Sequence, residues 1–207
     1  SYNGGFELFF LNNALSFRCD YFYTVVKDKI ESIYDPNSNY DIYTNLDSVI
    51  TQGVENTVQG RIGSLPGIAS IEGSLSYIYS HAENQDTSRA SYGEDVEDVP
   101  QHQFIAQLIV NFITNTRLTV WGSHTRNQLK YVMSADPSTT SPGVYTQDVY
   151  TTVELHNPFM LHAKVQQELP FNTYVYVMCK NILDDYDANP FNPGPGRMFY
   201  FGGGGRL

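Results

Sequence analysis

The chain has 207 residues, of which 16 % carry a charge, while 16 are Tyr and 12 are Phe. A net charge of −10 makes nucleic acid and anionic membrane surfaces poor partners. No apolar run approaches the about 20 residues of a membrane-crossing helix, there is no signal peptide at Ser1, and a chain without an initiator Met reads as a cleaved or partial one.

The elements, in chain order, are strands. Strand 3–11 meets strand 14–26 through the tight turn Asn12-Asn13. In 14–26, Leu15, Phe17, Cys19, Tyr21, Tyr23 and Val25 fall on one face, and Ser16, Arg18, Asp20 and Thr24 on the other. A long polar link follows, about 27–45. Strand 46–62 then turns through 64–67 (SLPG) into 68–80, where Ala69, Ile71, Leu75, Tyr77 and Tyr79 oppose Ser70, Glu72, Ser74 and Ser76. After an acidic link, 81–99, strand 101–113 turns through 114–116 (TNT) into 117–132. Period two with one apolar face is the strand signature, and no stretch shows a helical period. Soluble strands average about five or six residues. Several here run past ten, close to the about 9–11 of a tilted transmembrane strand. Tyr77, Tyr79 and Tyr131 gather where interfacial girdles sit. A large soluble sandwich or propeller would alternate too, at the cost of explaining strand length and Tyr content.

The connections alternate short and long, as in outer-membrane barrels with tight periplasmic turns and longer extracellular loops. Segment 144–156 is the exception. If it crosses the membrane, the 170–172 turn becomes extracellular and the length rule breaks. If it stays inside an extended outer loop, strand 158–169 descends, 173–182 ascends and 196–207 descends. That gives nine crossings, and an odd count argues for part of a larger barrel.

Four stretches carry a family resemblance. Asn181, Ile182, Leu183, Asp184 and Tyr186, followed by Pro195-Gly196-Arg197 and a closing strand, resemble the C-terminal end of a TonB-dependent outer-membrane receptor. Residues 11–30 resemble that family's hairpin and "DYFYTDVKDKI"-type strand, 45–55 its "N-x-D-x-x-x-x-x-G-x-E" strand, and 98–104 its "x-V-P-x-H" strand start. The resemblance spans nearly the whole chain and implies an all-β fold: an antiparallel transmembrane β-barrel, here about nine C-terminal strands of a 22-stranded one. It implies that residues 1–207 are wall and loops, with the plug and the N-terminal strands elsewhere, in the same or a second chain. Further implications are a bacterial outer membrane, a lipid bilayer around the wall, and the TonB complex acting through the plug. The ligand would be a scarce nutrient: a siderophore or other metal chelate, a cobalamin-like cofactor or an oligosaccharide. One departure is Leu207, where the family usually ends on Phe. The alternative from another class is a self-contained ten-stranded barrel, pore or structural protein, which needs 144–156 to cross.

Enzymatic constellations (Gly-x-Ser-x-Gly, His-Glu-x-x-His, a phosphate loop, Cys-x-x-Cys) are absent, so no catalytic residue and no enzyme activity are assigned. Arg18, Asp20, Glu55, Gln59, Arg61, Glu72 and Arg117 are expected to line the lumen, paired with one another or with a plug. Glu94, Asp95, Glu97 and Asp98 form an acidic run expected in an outer loop, either solvated or holding Ca²⁺; no other cofactor is expected. Of five histidines, His81, His102 and His124 should lie toward the outer rim, with His156 and His162 following. They suit capture of a metal chelate or simply a polar–apolar interface. Asn181, Asp184, Tyr186, Pro195, Gly196 and Arg197 take structural roles by resemblance. Cys19 and Cys179 sit mid-strand on apolar faces of strands that are not neighbours. No disulfide is expected, only two lipid-facing thiols.

Overall fold

A computed structural model describes residues 1–35, 40–87, 92–96, 99–133, 150–155, 157–185 and 195–205. These form eleven strands: β1 (Tyr2–Phe10), β2 (Leu15–Asp35), β3 (Tyr40–Ile62), β4 (Ile68–Asn84), β5 (His102–Phe112), β6 (Thr116–Arg126), β7 (Leu129–Met133), β8 (Tyr150–Glu154), β9 (Phe159–Leu169), β10 (Thr173–Lys180) and β11 (Met198–Gly205). Nine join one antiparallel sheet in the order β1-β2-β3-β4-β5-β6-β9-β10-β11, and β7 pairs with β8 apart from it. The described part of 144–156 therefore does not enter the large sheet: β6 pairs directly with β9, Thr116↔Gln167 through His124↔Phe159. β1 and β11 each have a single neighbour, so a closed ten-stranded barrel is not formed.

The short turns have a local cause. Asn12 and Asn13, Asn115, and Phe171 with Asn172 all take positive φ, as does Gly67. Asn tolerates the left-handed region better than other residues with a Cβ. Consecutive positive φ values match the twist of tight hairpins. The long connections depart from expectation. β2 and β3 continue their pairing from Lys29↔Leu46 to Asp35↔Tyr40, so most of the link expected at 27–45 is strand. Ile and Tyr interleave there with acids and amides, and a ladder needs backbone partners more than an apolar face. The single strand expected over 117–132 breaks at Asn127, which takes φ 55°, and its last few residues leave as β7.

Register separates the two faces. One cross-sheet row reads Phe6, Cys19, Asn56, Tyr77, Phe104, His124, Phe159. The row behind it reads Glu7, Arg18, Thr57, Ser76, Ile105, Ser123, Met160. Cys19 and Cys179 belong to the apolar face, on strands that do not touch, and both are free thiols. No second layer of described residues covers that face: Phe6 is 53 % exposed, Leu75 54 % and Phe201 74 %. The accessible surface is 13740 Å², against about 9,700 Å² for a compact soluble chain of this mass. A soluble sandwich would have buried this face against a second sheet. Among the described residues, the buried apolar side chains are Val49, Ala82, Val96 and Leu155, all at the outer end rather than between sheets. The 11-residue β5, β6 and β9 match the length of a tilted membrane crossing.

Gly53 illustrates how tightly the polar face is built. A Cβ there would lie 2.0 Å from the Tyr79 carbonyl oxygen and 2.6 Å from the Phe22 ring. Phe22, an apolar residue on the polar face, thus covers a bare stretch of its neighbour's backbone. Gly53→Ala is expected to lower stability by about 1–3 kcal/mol. Gly63→Ala, where nothing lies within 4 Å, is expected to be neutral. Heat-modifiable gel mobility of the two variants checks both.

Candidate functional site

On the polar face, the seven residues expected to line a lumen all fall in register. Arg18 and Asp20 form a forked pair, with Arg18 Nη2 donating to Asp20 Oδ1 at 3.1 Å. Glu55 stands directly across from Asp20. Arg61 faces Glu72 across the strands, Nε to Oε1 3.7 Å. Arg117 Nε donates to Asn111 Oδ1 at 2.8 Å, and Asn111 Nδ2 passes the chain to Ser70 Oγ at 2.8 Å. Gln59 lies between Ser16 and Ser74 and is exposed. Most of the charge is paired along the wall, and the exposed pairs contribute little to stability.

A second group on this face was missed in the sequence. Trp121 stacks on His162 with ring centroids 5.1 Å apart. Lys164 Nζ sits 4.4 Å from the centre of the Tyr176 ring, and Lys180 Nζ 5.3 Å from that of Tyr200, cation–π geometry in both cases. The signal was available: His162, Lys164, Gln166 and Glu168 alternate with Leu161, Ala163, Val165 and Gln167. The glycine-rich closing strand belongs to the same construction. A Cβ on Gly202 would be 2.7 Å from the Tyr176 ring, and one on Gly204 2.8 Å from the Tyr174 hydroxyl. These glycines let two tyrosines lie flat along β11, recovering in side-chain contact what the glycines lack.

The four described histidines stand apart in three settings. His102 and His124 stand on the apolar face near the end of the strands that carries the long connections. His102 Nδ1 meets the Tyr77 hydroxyl at 2.9 Å, and His124 Nδ1 donates to the Pro158 carbonyl at 3.1 Å. His81 lies between Asp95 (Nδ1 to Oδ1 3.1 Å) and Glu83 (Nε2 to Oε2 3.5 Å). Asp95 also accepts from Gln101 Nε2 at 2.9 Å, and Glu94 is exposed. His162 is on the opposite face, and His156, Glu97 and Asp98 lie outside the described residues. Among the described residues, no three His, Cys, Asp or Glu are grouped to hold a metal ion.

The Asn181 motif forms a clasp. Asn181 is 1 % exposed and takes φ 51°. Its Nδ2 donates to the carbonyls of Asp185 (3.3 Å) and Pro195 (3.2 Å), and its Oδ1 accepts the Asp185 N–H at 3.2 Å. Its own N–H donates to His162 Nδ1 at 3.0 Å. Asp184 Oδ1 accepts the Arg197 N–H at 2.7 Å, and Arg197 Nε donates to the Ile182 carbonyl at 2.9 Å. Asp185 Oδ2 accepts the Phe159 N–H at 3.0 Å. The end of β10, the start of β11 and the start of β9 are thereby tied at one point. Gly196 sits within that junction, and Tyr186 lies outside the described residues.

Residues 1–159 match the family model described as TonB dependent receptor-like, beta-barrel. The outer membrane transporter YddB from Escherichia coli is similar in structure, with TM-score 0.69, 13 % identity, 90 % of this chain and 30 % of that chain covered. So is the ferripyoverdine receptor of Pseudomonas aeruginosa, with TM-score 0.64, 16 % identity, and 98 % and 26 % covered. The ferric-catecholate import receptor Fiu from E. coli follows at TM-score 0.56, 14 % identity, and 97 % and 26 % covered. The chain thus spans under a third of the length of these structures, and at such identities the likeness is one of fold. No curated protein sequence matches significantly.

The clasp yields a direct test. Asn181→Ala removes three side-chain hydrogen bonds and strands the Pro195 carbonyl and Asp185 amide, for an expected loss of about 3 kcal/mol. Faster proteolytic cleavage within 184–197, compared with the parent protein, is the expected readout.

Proposed function

This chain belongs to the family of TonB-dependent receptor-like β-barrels, an outer-membrane family, and on that premise we propose that it supplies wall and outer loops to an active importer of a scarce nutrient. The observation that carries this reading is the two-faced meander: an uncovered apolar face for lipid, and a polar face carrying paired charges and flat aromatic rings. The unpaired edges at β1 and β11 call for further strands, because a sheet in hydrocarbon cannot leave backbone groups without partners. In this reading a 22-stranded barrel closes around a plug, and the TonB complex pulls on that plug.

Arg18, Asp20, Glu55, Gln59, Arg61, Glu72 and Arg117 then line the lumen on one side. Trp121, His162, Lys164, Tyr176, Lys180 and Tyr200 line it on the other. Rings interleaved with cations suit an anionic, ring-bearing ligand better than a neutral sugar, because both the π faces and the positive charges find complements. An iron chelate of the siderophore class is therefore the favoured substrate. The names of two similar structures, a ferripyoverdine receptor and a ferric-catecholate importer, support that choice. Cobalamin-like cofactors and oligosaccharides are the alternatives within the same mechanism. The chain would act on its ligand by binding and release, without bond-making chemistry.

Uptake of radiolabelled ferric siderophore in cells expressing the full-length receptor, with and without TonB, tests the reading. Accumulation lost in the TonB deletion is the expected outcome. Accumulation that persists without TonB would reduce the protein to a passive pore. Equal stimulation by cobalamin or an oligosaccharide, with none by the chelate, would reassign the substrate and leave the transport reading intact.

A further inference from the structure

The clasp at Asn181 rests on one acceptor from outside its own stretch of chain. Pairing between β9 and β10 runs from Thr173↔Leu169 to Cys179↔Ala163 and then loses its register. Asn181 takes φ 51° just beyond, and the Ile182 N–H returns to the neighbouring strand at the Leu161 carbonyl, 2.8 Å away. Between these two, the Asn181 N–H is met by a side chain, His162 Nδ1, at 3.0 Å.

That contact fixes the chemistry of the ring. A backbone amide can only donate, so Nδ1 presents its lone pair, and His162 is the neutral tautomer with its proton on Nε2. An imidazolium would turn a second N–H toward the Asn181 N–H and leave it stranded. Asn181 is almost fully buried, so water is a poor substitute acceptor. The ring itself is half-buried and can exchange its proton. Every neighbouring element bears on it. On β6, Trp121 stands in register with His162 and stacks on it. On β10, Lys180 is the charge felt at the ring, and Lys164 lies two residues along β9. In the clasp, Asp184 accepts from the Arg197 N–H and Asp185 from the Phe159 N–H. Among the described residues, no carboxylate pairs with His162 to offset the lost contact.

We propose that His162 is a proton-controlled positioning residue: unprotonated, its Nδ1 holds the Asn181 amide and closes the clasp, and protonated, it releases that amide and loosens the junction of β9, β10 and β11. Closure requires the unprotonated ring and release does not. The clasp is therefore at full strength well above the titration of the ring and weakens as the pH falls through it. Trp121 and Lys180 belong to the row of rings and cations on the polar face, so the same imidazole joins that row to the clasp. The switch needs no cargo, and it stands apart from the uptake reading.

Amide hydrogen exchange of the full-length receptor in detergent, read by mass spectrometry at about pH 8 and about pH 5, on either side of the ordinary histidine value of about 6.5, tests the switch. After correction for the intrinsic pH dependence of exchange, protection of residues 178–185 is expected to fall about ten-fold at the lower pH, with residues 163–169 unchanged. His162→Asn sets an oxygen near the Nδ1 position and has no proton to titrate. It is expected to hold protection near the parent's high-pH level at both values. His162→Ala is expected to be low at both. Should His162→Asn fail to fold, as judged by heat-modifiable mobility, His162→Gln takes its place, with the pH dependence again absent. Unchanged protection in the parent overturns the proposal, as does an equal fall in 163–169. A fall that persists in the folded Asn or Gln variant would assign the effect to Asp184 or Asp185 and overturn it too.

Discussion

Everything in this sheet depends on where its backbone hydrogen bonds go. In hydrocarbon, a strand N–H or C=O has no water to turn to, so each must meet a neighbouring strand. The nine-stranded meander does this for all interior strands, with unbroken registers such as Leu15↔Gly60 through Lys27↔Ser48. Once the ladder is satisfied, side chains need no interior core. That explains how so few of the described apolar residues are buried while the sheet still holds a single architecture. The usual division is inverted: one face of the sheet is apolar and uncovered among the described residues, and the charged pairs stand on the other.

The polar face shows how that inversion is filled. Charges there neutralise one another locally, as at Arg18–Asp20 and Arg61–Glu72. Bare backbone is covered by rings laid over it: Phe22 over Gly53, Tyr176 over Gly202 and Tyr174 over Gly204. The closing glycine run is therefore one half of a two-strand arrangement whose other half is Tyr174-Val175-Tyr176 on β10. Replacing a glycine there would displace a tyrosine, and with it the cation held above Tyr176.

Much of this was legible in the sequence, because period two is a direct projection of the sheet's two faces. The alternation of 14–26 and 68–80 assigned Arg18, Asp20 and Glu72 to one face and Cys19, Tyr77 and Tyr79 to the other, and register agrees. Asn-rich turns announced the short hairpins. Farther out the pattern lost its meaning: Ile30 to Tyr34 are strand by backbone pairing alone, with no simple apolar alternation in the sequence to reveal it. Asn127 looked like any polar residue within a strand, yet its left-handed φ sends β7 away from the sheet. Asn181 could be recognised by resemblance, but its burial and its partners at Pro195 and His162 are contacts between separate stretches that no local pattern encodes.

The β2–β3 ribbon has a mechanical consequence. Its strands, 21 and 23 residues long, pair from Leu15↔Gly60 out to Asp35↔Tyr40, with Asp28, at φ 54°, the one β2 position left out of the register, and run well beyond the length the bilayer requires. A projection built this way behaves as a lever rather than a tether. Its shape is set when the barrel forms, so capture of a molecule near its tip does not have to freeze a wandering loop. A sideways push there would be carried down two coupled strands to the Arg18–Asp20 pair, whose strand is continuous with the tip. The outer end at Asp35 and the Arg18–Asp20 pair thus share one strand.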